Sequence, residues 1–383
     1  MQRRRTLWTL YSINFLNAVG GWFFLPLLPI FLGRKHGSAA LVGAVFAAGL
    51  LSNALIRYPA GWAADRYGTR PVLLVSMLAA SALFLAYLAP VPVVAFVAVR
   101  LVQGAAQGAF WPAAMGLLAE VTEPGERGRA FGLMQSTNLA GMLIAPGIGG
   151  FIALFNLSVV FVVAAAVLLV ATAALATLPN VRVETPLEAP ARALRIARTL
   201  LPLILLGAGT AYMIGTFDTI WALYLTYRGA TTFAVGISFV TFALPAMVLS
   251  SQAGALGDRF GPRRFIVVAL LCTALFAAIY PFVSSVPWLV GLGLIEGIFT
   301  VSGAPSLMAE VSRRAEPGRQ ARTQGVFQTV QTGVQILGAL AGGALFTISP
   351  TYSFLAIAAV CVAAAATAFV PRPAFARPVG QTP

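Results

Sequence analysis

The sequence predicts an all-α polytopic membrane protein of twelve transmembrane helices in two pseudo-symmetric six-helix bundles. Three observations carry that expectation. Of 383 residues, 59% are hydrophobic and 9% charged, against ~25% charged in a soluble globular protein. Twelve apolar runs follow one another, most of them near the ~20 residues that cross a bilayer as a helix. The second half repeats the first at an offset of 193 residues over most of its length, as Gly61 to Gly254 illustrates. These features exclude intrinsic disorder, a disulfide-stapled secreted domain and an ordinary soluble enzyme.

The runs fall at 8–32, 41–62, 71–89, 93–119, 130–153, 158–178, 200–226, 233–253, 265–283, 287–311, 323–347 and 352–370. The first follows Met1-Gln-Arg-Arg-Arg5, which has the look of a signal-peptide n-region. From Trp8 to Leu32 the run is too long for a signal h-region, and Pro26 and Pro29 interrupt it, so it reads as a retained first helix. The expected organisation is an N-terminal bundle at 1–178, a cytoplasmic linker at 179–199, a C-terminal bundle at 200–371 and a cytoplasmic tail at 372–383.

Charge placement orients the spans. The net charge is +14, and Lys35 is the one lysine among 25 basic residues. With the N-terminus inside, twenty arginines fall in cytoplasmic segments, and only Arg34, Lys35 and Arg228 in outer loops. The positive-inside rule therefore puts both termini in the cytoplasm of a multi-pass protein of the cell (inner) membrane. The basic residues fill gaps between spans and do not cluster with aromatics, so no nucleic-acid partner is expected. Cys272 and Cys361 lie far apart in apolar segments, and His36 is the single histidine. No disulfide framework, metal site or cofactor is expected. A His-Glu-x-x-His pattern and a phosphate-binding Gly-x4-Gly-Lys loop are absent, which leaves a membrane enzyme or a scaffold as remote alternatives.

The repeat is dense around short loops. Adding 193 carries Gly61, Asp65, Arg66, Gly68 and Arg70 to Gly254, Asp258, Arg259, Gly261 and Arg263. It also carries Gly104, Gly132, Gln135 and Gly149-Gly150 to Gly297, Gly325, Gln328 and Gly342-Gly343. Near Glu120 the register slips, so that Glu120-Val121 answers to Glu310-Val311 at 190. Parallel repeats of this kind are a transporter signature, with substrate bound near the midplane. Gly68 suits a tight reversal that needs positive φ. Asp65 sits at the partly negative C-terminal end of a helix and needs a partner, either an arginine or another helix's N-terminus.

The loop Gly61-Trp-Ala-Ala-Asp65-Arg66-Tyr-Gly68-Thr-Arg70, with its return in the second half, resembles the signature of the major facilitator superfamily, and the resemblance covers essentially the whole chain. Thr69 stands where that family usually has a basic residue. The resemblance implies a conformational latch at Gly61, Asp65, Arg66, Gly68 and Arg70, with Asp258 and Arg259 as the weaker counterpart. Three further motifs look like those of the twelve-span drug:proton antiporters. They are Gly20 with Pro26 and Pro29, then Arg100-x-x-Gln103-Gly104, and then Gly141 to Gly150 with Pro146, Gly149 and an Ala145 in place of one glycine. Their coincidence favours an exporter over an importer, although small residues at this spacing also serve plain helix packing.

Ionisable groups at membrane depth are costly and mark function. Arg57 is close enough to the inner face to snorkel, whereas Arg100, Asp218 and Glu296 lie deeper. Counted along their spans at 1.5 Å per residue, all three sit roughly 10–14 Å below the outer boundary. In the family these spans line a central cavity. The expectation is that Asp218 or Glu296 carries a coupled proton tuned by Arg100, the alternative being a static pair of Arg100 with either carboxylate. The first span offers Asn14 and Asn17 but no acid, which favours neutral or amphipathic substrates over cationic drugs.

Gln324, Gln328, Gln331 and Gln335 line one helical face of the eleventh span, and Gln135 and Asn138 stand on its counterpart. They face either a cavity or a neighbouring helix. The candidate cavity set is Asn17, Trp22, Gln103, Gln107, Gln135, Asn138, Trp221, Gln328 and Gln331. The function expected is proton-coupled efflux of small amphipathic or drug-like compounds by alternating access. The alternative is a sugar or metabolite exporter or uniporter of the same fold. Partners are then a small-molecule substrate, protons and the lipid bilayer, and the resemblance implies a monomer.

Overall fold

The computed structural model describes residues 2–123, 127–178, 180, 190–245, 262–314 and 320–369. Of these, 90% are helical and none is in a strand. In chain order the helices are α1 Gln2–Phe24, α2 Leu28–Arg34, α3 Ala39–Tyr67, α4 Thr69–Ala86, α5 Ala95–Val121, α6 Arg127–Phe155 and α7 Leu157–Leu175. There follow α8 Pro190–Tyr227, α9 Thr232–Pro245, α10 Pro262–Ile279, α11 Val286–Arg313, α12 Gln320–Ile348 and α13 Pro350–Ala366.

Every predicted run is matched by a helix, and α1 and α2 share the first. Leu25–Leu27 between them is a 3-10 turn. Pro26 and Pro29 cause the break, because each removes a backbone N–H donor and crowds the preceding turn. Several helices outrun their apolar stretches. α3 continues to Tyr67, and α8 begins at Pro190, so the end of the stretch read as a linker is helical. Hydropathy delimits the ~30 Å hydrocarbon core, whereas a helix continues into the headgroup zone.

Among the described residues, eight helical segments are long and apolar enough to cross a membrane, and the described apolar parts of α9, α11 and α13 are shorter. α5 is long enough, but Arg100, Gln103, Gln107 and Glu120 dilute its apolar character. Local chemistry sets several ends. Ser38 Oγ accepts from the Leu41 N–H (3.2 Å) and caps α3, and Asn156 Oδ1 accepts from the Ser158 N–H (2.8 Å) to cap α7. Such caps are worth ~1 kcal/mol each.

The chain divides into two compact units, Met1–Leu187 with Asp218–Val240, and Glu188–Phe217 with Thr241–Pro383. In the first, Phe24, Phe31, Tyr87, Phe96 and Phe161 form one buried aromatic cluster with centroids 4.7–6.2 Å apart. In the second, Phe217, Tyr280 and Phe354 meet at 5.7–5.9 Å. Offsetting Phe24, Tyr87 and Phe161 by 193 gives these three residues, so the repeat extends into the core.

Lipid-embedded helices associate through close packing and hydrogen bonds, because lipid tails are as apolar as the side chains. The close packing is concrete here. A Cβ on Gly104 would overlap the Gly49 carbonyl and Ser52 Oγ, and one on Gly108 would stand 2.6 Å from the Asn53 carbonyl, so α3 and α5 cross backbone to backbone. Polar side chains lock other crossings. Asn14 Nδ2 donates to the Met134 carbonyl (2.7 Å) and ties α1 to α6. Gln331 Nε2 donates to the Ile204 carbonyl (3.2 Å) and ties α12 to α8.

A prediction separates the two kinds of glycine. Gly104→Ala is expected to lower the melting temperature in detergent, with an overpacking cost of about 1–3 kcal/mol. Gly333→Ala, where an added Cβ meets nothing within 4 Å, is expected to raise it slightly, since alanine is favoured over glycine in a helix by about 1 kcal/mol. Equal shifts of the same sign would contradict this account.

Candidate functional site

The short α3–α4 connection is Gly68 alone. Its φ of 97° lies in the left-handed region that L side chains rarely adopt, and its N–H donates to the Ala64 carbonyl (2.9 Å). Asn180, just past α7, docks on this turn. Its Oδ1 accepts from the Arg70 N–H (3.3 Å), and its Nδ2 donates to the Tyr67 carbonyl (3.4 Å). A Cβ on Gly68 would overlap the Asn180 amide. Arg70 Nη2 donates to the Ala176 carbonyl (2.7 Å), which places its charge at the C-terminal end of α7, where the helix dipole welcomes a cation.

Arg66 lies over the rings of Trp62 (5.4 Å) and Tyr67 (5.6 Å). Among the described residues nothing lies within 4 Å of a Cβ built on Gly61. Asp65 is in the last turn of α3, but its side chain lies outside the described residues, as do Asp258 and Arg259 of the second copy. Asn180 is a functional candidate that sequence reasoning passed over, because it is distant in the chain and belongs to no motif.

In α5, Arg100 is buried and its Nη1 donates to Gln103 Oε1 (2.9 Å). The same oxygen accepts from the Tyr87 hydroxyl (3.0 Å), and the guanidinium sits 5.4 Å from the Phe24 ring centroid. Gly49 makes the room: a Cβ there would stand 2.5 Å from Arg100 Nε. Asp218, in the part of α8 that belongs to this first unit, is within electrostatic reach of Arg100. In the second unit Glu296 is fully buried on α11, and the Tyr280 hydroxyl donates to its Oε2 (2.5 Å). Each of these three ionisable groups thus has an identified neighbour within its own unit.

The Gly141–Gly150 stretch packs on two sides. A Cβ on Gly141 would stand 2.7 Å from that of Ala18, and one on Gly149 would overlap the Phe23 carbonyl, so α6 lies tight on α1. On its other side a Cβ on Gly150 would come 2.7 Å from the Thr232 carbonyl, while Thr232 Oγ1 donates to the Gly150 carbonyl (3.2 Å). Pro146, inside α6, has its carbonyl against Gly236 of α9. The motif therefore builds a close α1–α6–α9 crossing, with Ala145 fully buried.

The candidate cavity residues divide. Gln103 is fully buried and Gln107 is half-buried. Asn17, Trp22 and Asn138 are half-buried, and Gln135 and Gln328 are exposed. Gln331 is buried on the Ile204 carbonyl, and Gln324 Nε2 donates to the Met308 carbonyl (2.7 Å). The glutamine stripe thus serves inter-helix bonding at Gln324 and Gln331 and leaves Gln328 open. Trp221 is buried with its indole N–H on Ser238 Oγ (2.9 Å), which packs α8 on α9. The residues that reasoning from motifs missed are Tyr87 and Tyr280, which donate to Gln103 and Glu296 and are found by carrying the 193-residue offset to residues outside the motifs. No group of three or more potential metal ligands occurs among the described residues.

Buried, partnered charges on apolar helices and a glycine turn clasped by the segment after α7 are features of a polytopic helical membrane protein. The family model of the Major Facilitator Superfamily matches residues 10–227 and 203–381. The chain belongs to that superfamily, and its partners are small-molecule substrates carried across the cell membrane. It is 24% identical over 372 residues to multidrug resistance protein 2 of Bacillus subtilis, covering 93% of this chain and 92% of that one. It is 27% identical over 350 residues to the class C tetracycline resistance protein of Escherichia coli, covering 87% and 88%. Among solved structures, a bacterial homologue of the human lysosomal transporter Spinster superposes with a TM-score of 0.80 at 17% identity, covering 96% of each chain. The nucleoside transporter NupG gives 0.80 at 14% identity, covering 95% of this chain and 98% of that one. At these identities the structures speak to the fold alone.

Two outcomes follow from the geometry. Gly49→Ala is expected to lower the melting temperature in detergent, by about 1–3 kcal/mol of overpacking, because its methyl would stand 2.5 Å from Arg100 Nε and displace the guanidinium. Gly68→Ala is expected to cost about 1–3 kcal/mol for the backbone alone, since φ 97° with ψ 158° is a conformation essentially confined to glycine. Asn180→Ala should restore part of that loss by clearing the clash, as read from melting temperatures of the single and double variants.

Proposed function

We propose that this chain is a proton-coupled exporter of small amphipathic or drug-like molecules that works by alternating access. The observation that carries the reading is the retention of Arg100, Asp218 and Glu296 within apolar helices. A charged residue at the centre of a bilayer costs about 2.5–3.5 kcal/mol on insertion scales, and such residues face the protein interior and mark transport pathways. Two carboxyls of unlike surroundings, one near an arginine and one under a tyrosine, suit proton exchange. A substrate whose binding competes with protonation is then coupled to the proton gradient. The relatives named for multidrug and tetracycline resistance support export of drug-like compounds. The absence of an acid in the first span argues for neutral or amphipathic cargo over permanent cations.

In this reading the protein works as a monomer in the inner membrane with both termini in the cytoplasm, as the excess of arginines in the inner segments supports. Gly68 and its neighbours Arg66 and Arg70, together with Asp65, Asp258 and Arg259, act as the latch between states. The two halves of the chain, 1–178 and 200–371, act as the moving bundles.

The test uses purified protein in liposomes loaded with a pH-sensitive dye, under an imposed proton gradient, with tetracycline as the first probe. Addition of tetracycline is expected to release protons at a rate reduced at least tenfold in Asp218→Asn or Glu296→Gln. Tetracycline flux without proton movement would leave a uniporter, and full proton-driven transport in both variants would remove Asp218 and Glu296 from the coupling.

A further inference from the structure

The internal repeat holds a comparison that motif reading does not reach. Offsetting Tyr87 by 193 gives Tyr280, and offsetting Gln103 gives Glu296. Both pairs are hydrogen-bonded in the same sense: the Tyr87 hydroxyl donates to Gln103 Oε1, and the Tyr280 hydroxyl donates to Glu296 Oε2. Both tyrosine rings sit against equivalent aromatics, Phe24 and Phe161 in one unit and Phe217 and Phe354 in the other. One architectural device thus occurs twice, once with a carboxamide acceptor and once with a carboxyl.

The surroundings differ in charge. Gln103 also accepts from Arg100, whereas the position equivalent to Arg100 is Gly293. Among the described residues, the titratable groups in electrostatic range of Glu296 are Tyr280 and, from α13, Cys361. Neither is a cation. α10 and α12 also pack on α11 and bring no described charged side chain to the carboxyl. Its second oxygen, Oε1, is buried and has no hydrogen-bond partner among the described residues. A buried carboxylate with one donor and no counter-charge is costly, and taking up a proton removes that cost.

We propose that Tyr280 is the positioning residue of the coupled proton: its hydroxyl engages Oε2 of Glu296 and leaves Oε1 as the oxygen that takes up and releases it. This rests on the reading of Glu296 as a proton carrier and assigns the atom and the partner. On uptake an O–H bond forms at Oε1. On release that bond breaks to water, and Tyr280 keeps its own proton throughout. The Tyr87–Gln103 pair is the same clasp without a titrating acceptor, held to Arg100 and working as fixed structure.

The ring of Tyr280 is fully buried, and Tyr280→Phe removes only the hydroxyl. A hydroxyl donor favours the charged form of its acceptor, so its loss is expected to make Glu296 hold the proton to higher pH. The experiment is infrared difference spectroscopy of the full chain in lipid across a pH titration, read at the carboxylic-acid C=O stretch. It is paired with the pH profile of tetracycline-driven proton release. Glu296→Gln is expected to delete the band. In Tyr280→Phe the band should shift in frequency, and both midpoints should move up by about one pH unit, a tenfold change in proton affinity.

Tyr87→Phe is expected to leave the infrared midpoint of Glu296 in place, because its own acceptor is an amide in the other unit and does not titrate. If Tyr280→Phe does not yield monodisperse protein, Glu296→Asp withdraws the carboxyl from the hydroxyl and should move the midpoints in the same direction. Unmoved midpoints in whichever of these two variants folds, with the band still deleted by Glu296→Gln, overturn the role of Tyr280 alone. A band and a coupled flux that survive Glu296→Gln overturn the carrier assignment beneath it.

Discussion

Close backbone approach is the constraint on which the rest of this molecule depends. Inside lipid, an apolar side chain gains little by touching another helix instead of a tail, so cohesion falls to packing and hydrogen bonding. Glycines supply the approach at the α3–α5 and α1–α6 crossings, where a methyl group at Gly104 or Gly149 would strike a backbone carbonyl. Buried amides supply the bonds, Asn14 to the Met134 carbonyl and Gln331 to that of Ile204. These two run in opposite directions between equivalent helices, from α1 to α6 in the first unit and from α12 to α8 in the second. The repeat preserves the bonded crossing and lets the donor move from one helix to its partner.

That tight frame is what allows charge to be stored in it. Arg100 is buried because Gly49 leaves space for its side chain, Gln103 Oε1 accepts a hydrogen bond from the guanidinium and the Phe24 face receives the cation. Glu296 is buried with the Tyr280 hydroxyl as its donor and an aromatic wall behind the tyrosine. Neither arrangement is an incidental ion pair on a surface, where a bond of this kind contributes little. A transporter that moves protons needs such groups to be stable in the membrane and yet able to change state. One donor, short of full satisfaction, meets both needs.

The polar turn at Gly68 shows how a local motif acquires a distant partner. A residue suited to positive φ and the two arginines beside it were readable from the loop itself. Its engagement by Asn180 was not, since nothing in the sequence around 180 marks it and the contact spans 110 residues. The antiporter-like stretch of α6 is similar. Its small residues announced close packing, but that one edge serves α1 and the other α9 emerged from the coordinates.

By itself the sequence determined the class: the apolar runs, the proline break at Pro26 and Pro29, the repeat, the arginine asymmetry and the superfamily. These are readable because each is a local quantity or a fixed offset, and because lipid admits few folds to a chain this apolar. Which residues face inward was decided by tertiary structure alone. α7 is apolar on all sides, yet Val160, Phe161, Ala164 and Leu168 are buried while Val159, Val162, Leu169 and Val170 are exposed. In a soluble helix the polar face betrays the buried one; here lipid and protein interior select the same residues, so periodicity carries no signal. For the same reason residue type alone did not show that Trp221 bonds to Ser238 and Gln331 to the Ile204 carbonyl. The pairing of Tyr280 with Glu296 likewise needed three dimensions, because a hydrogen bond across sixteen residues and a turn leaves no mark on hydropathy.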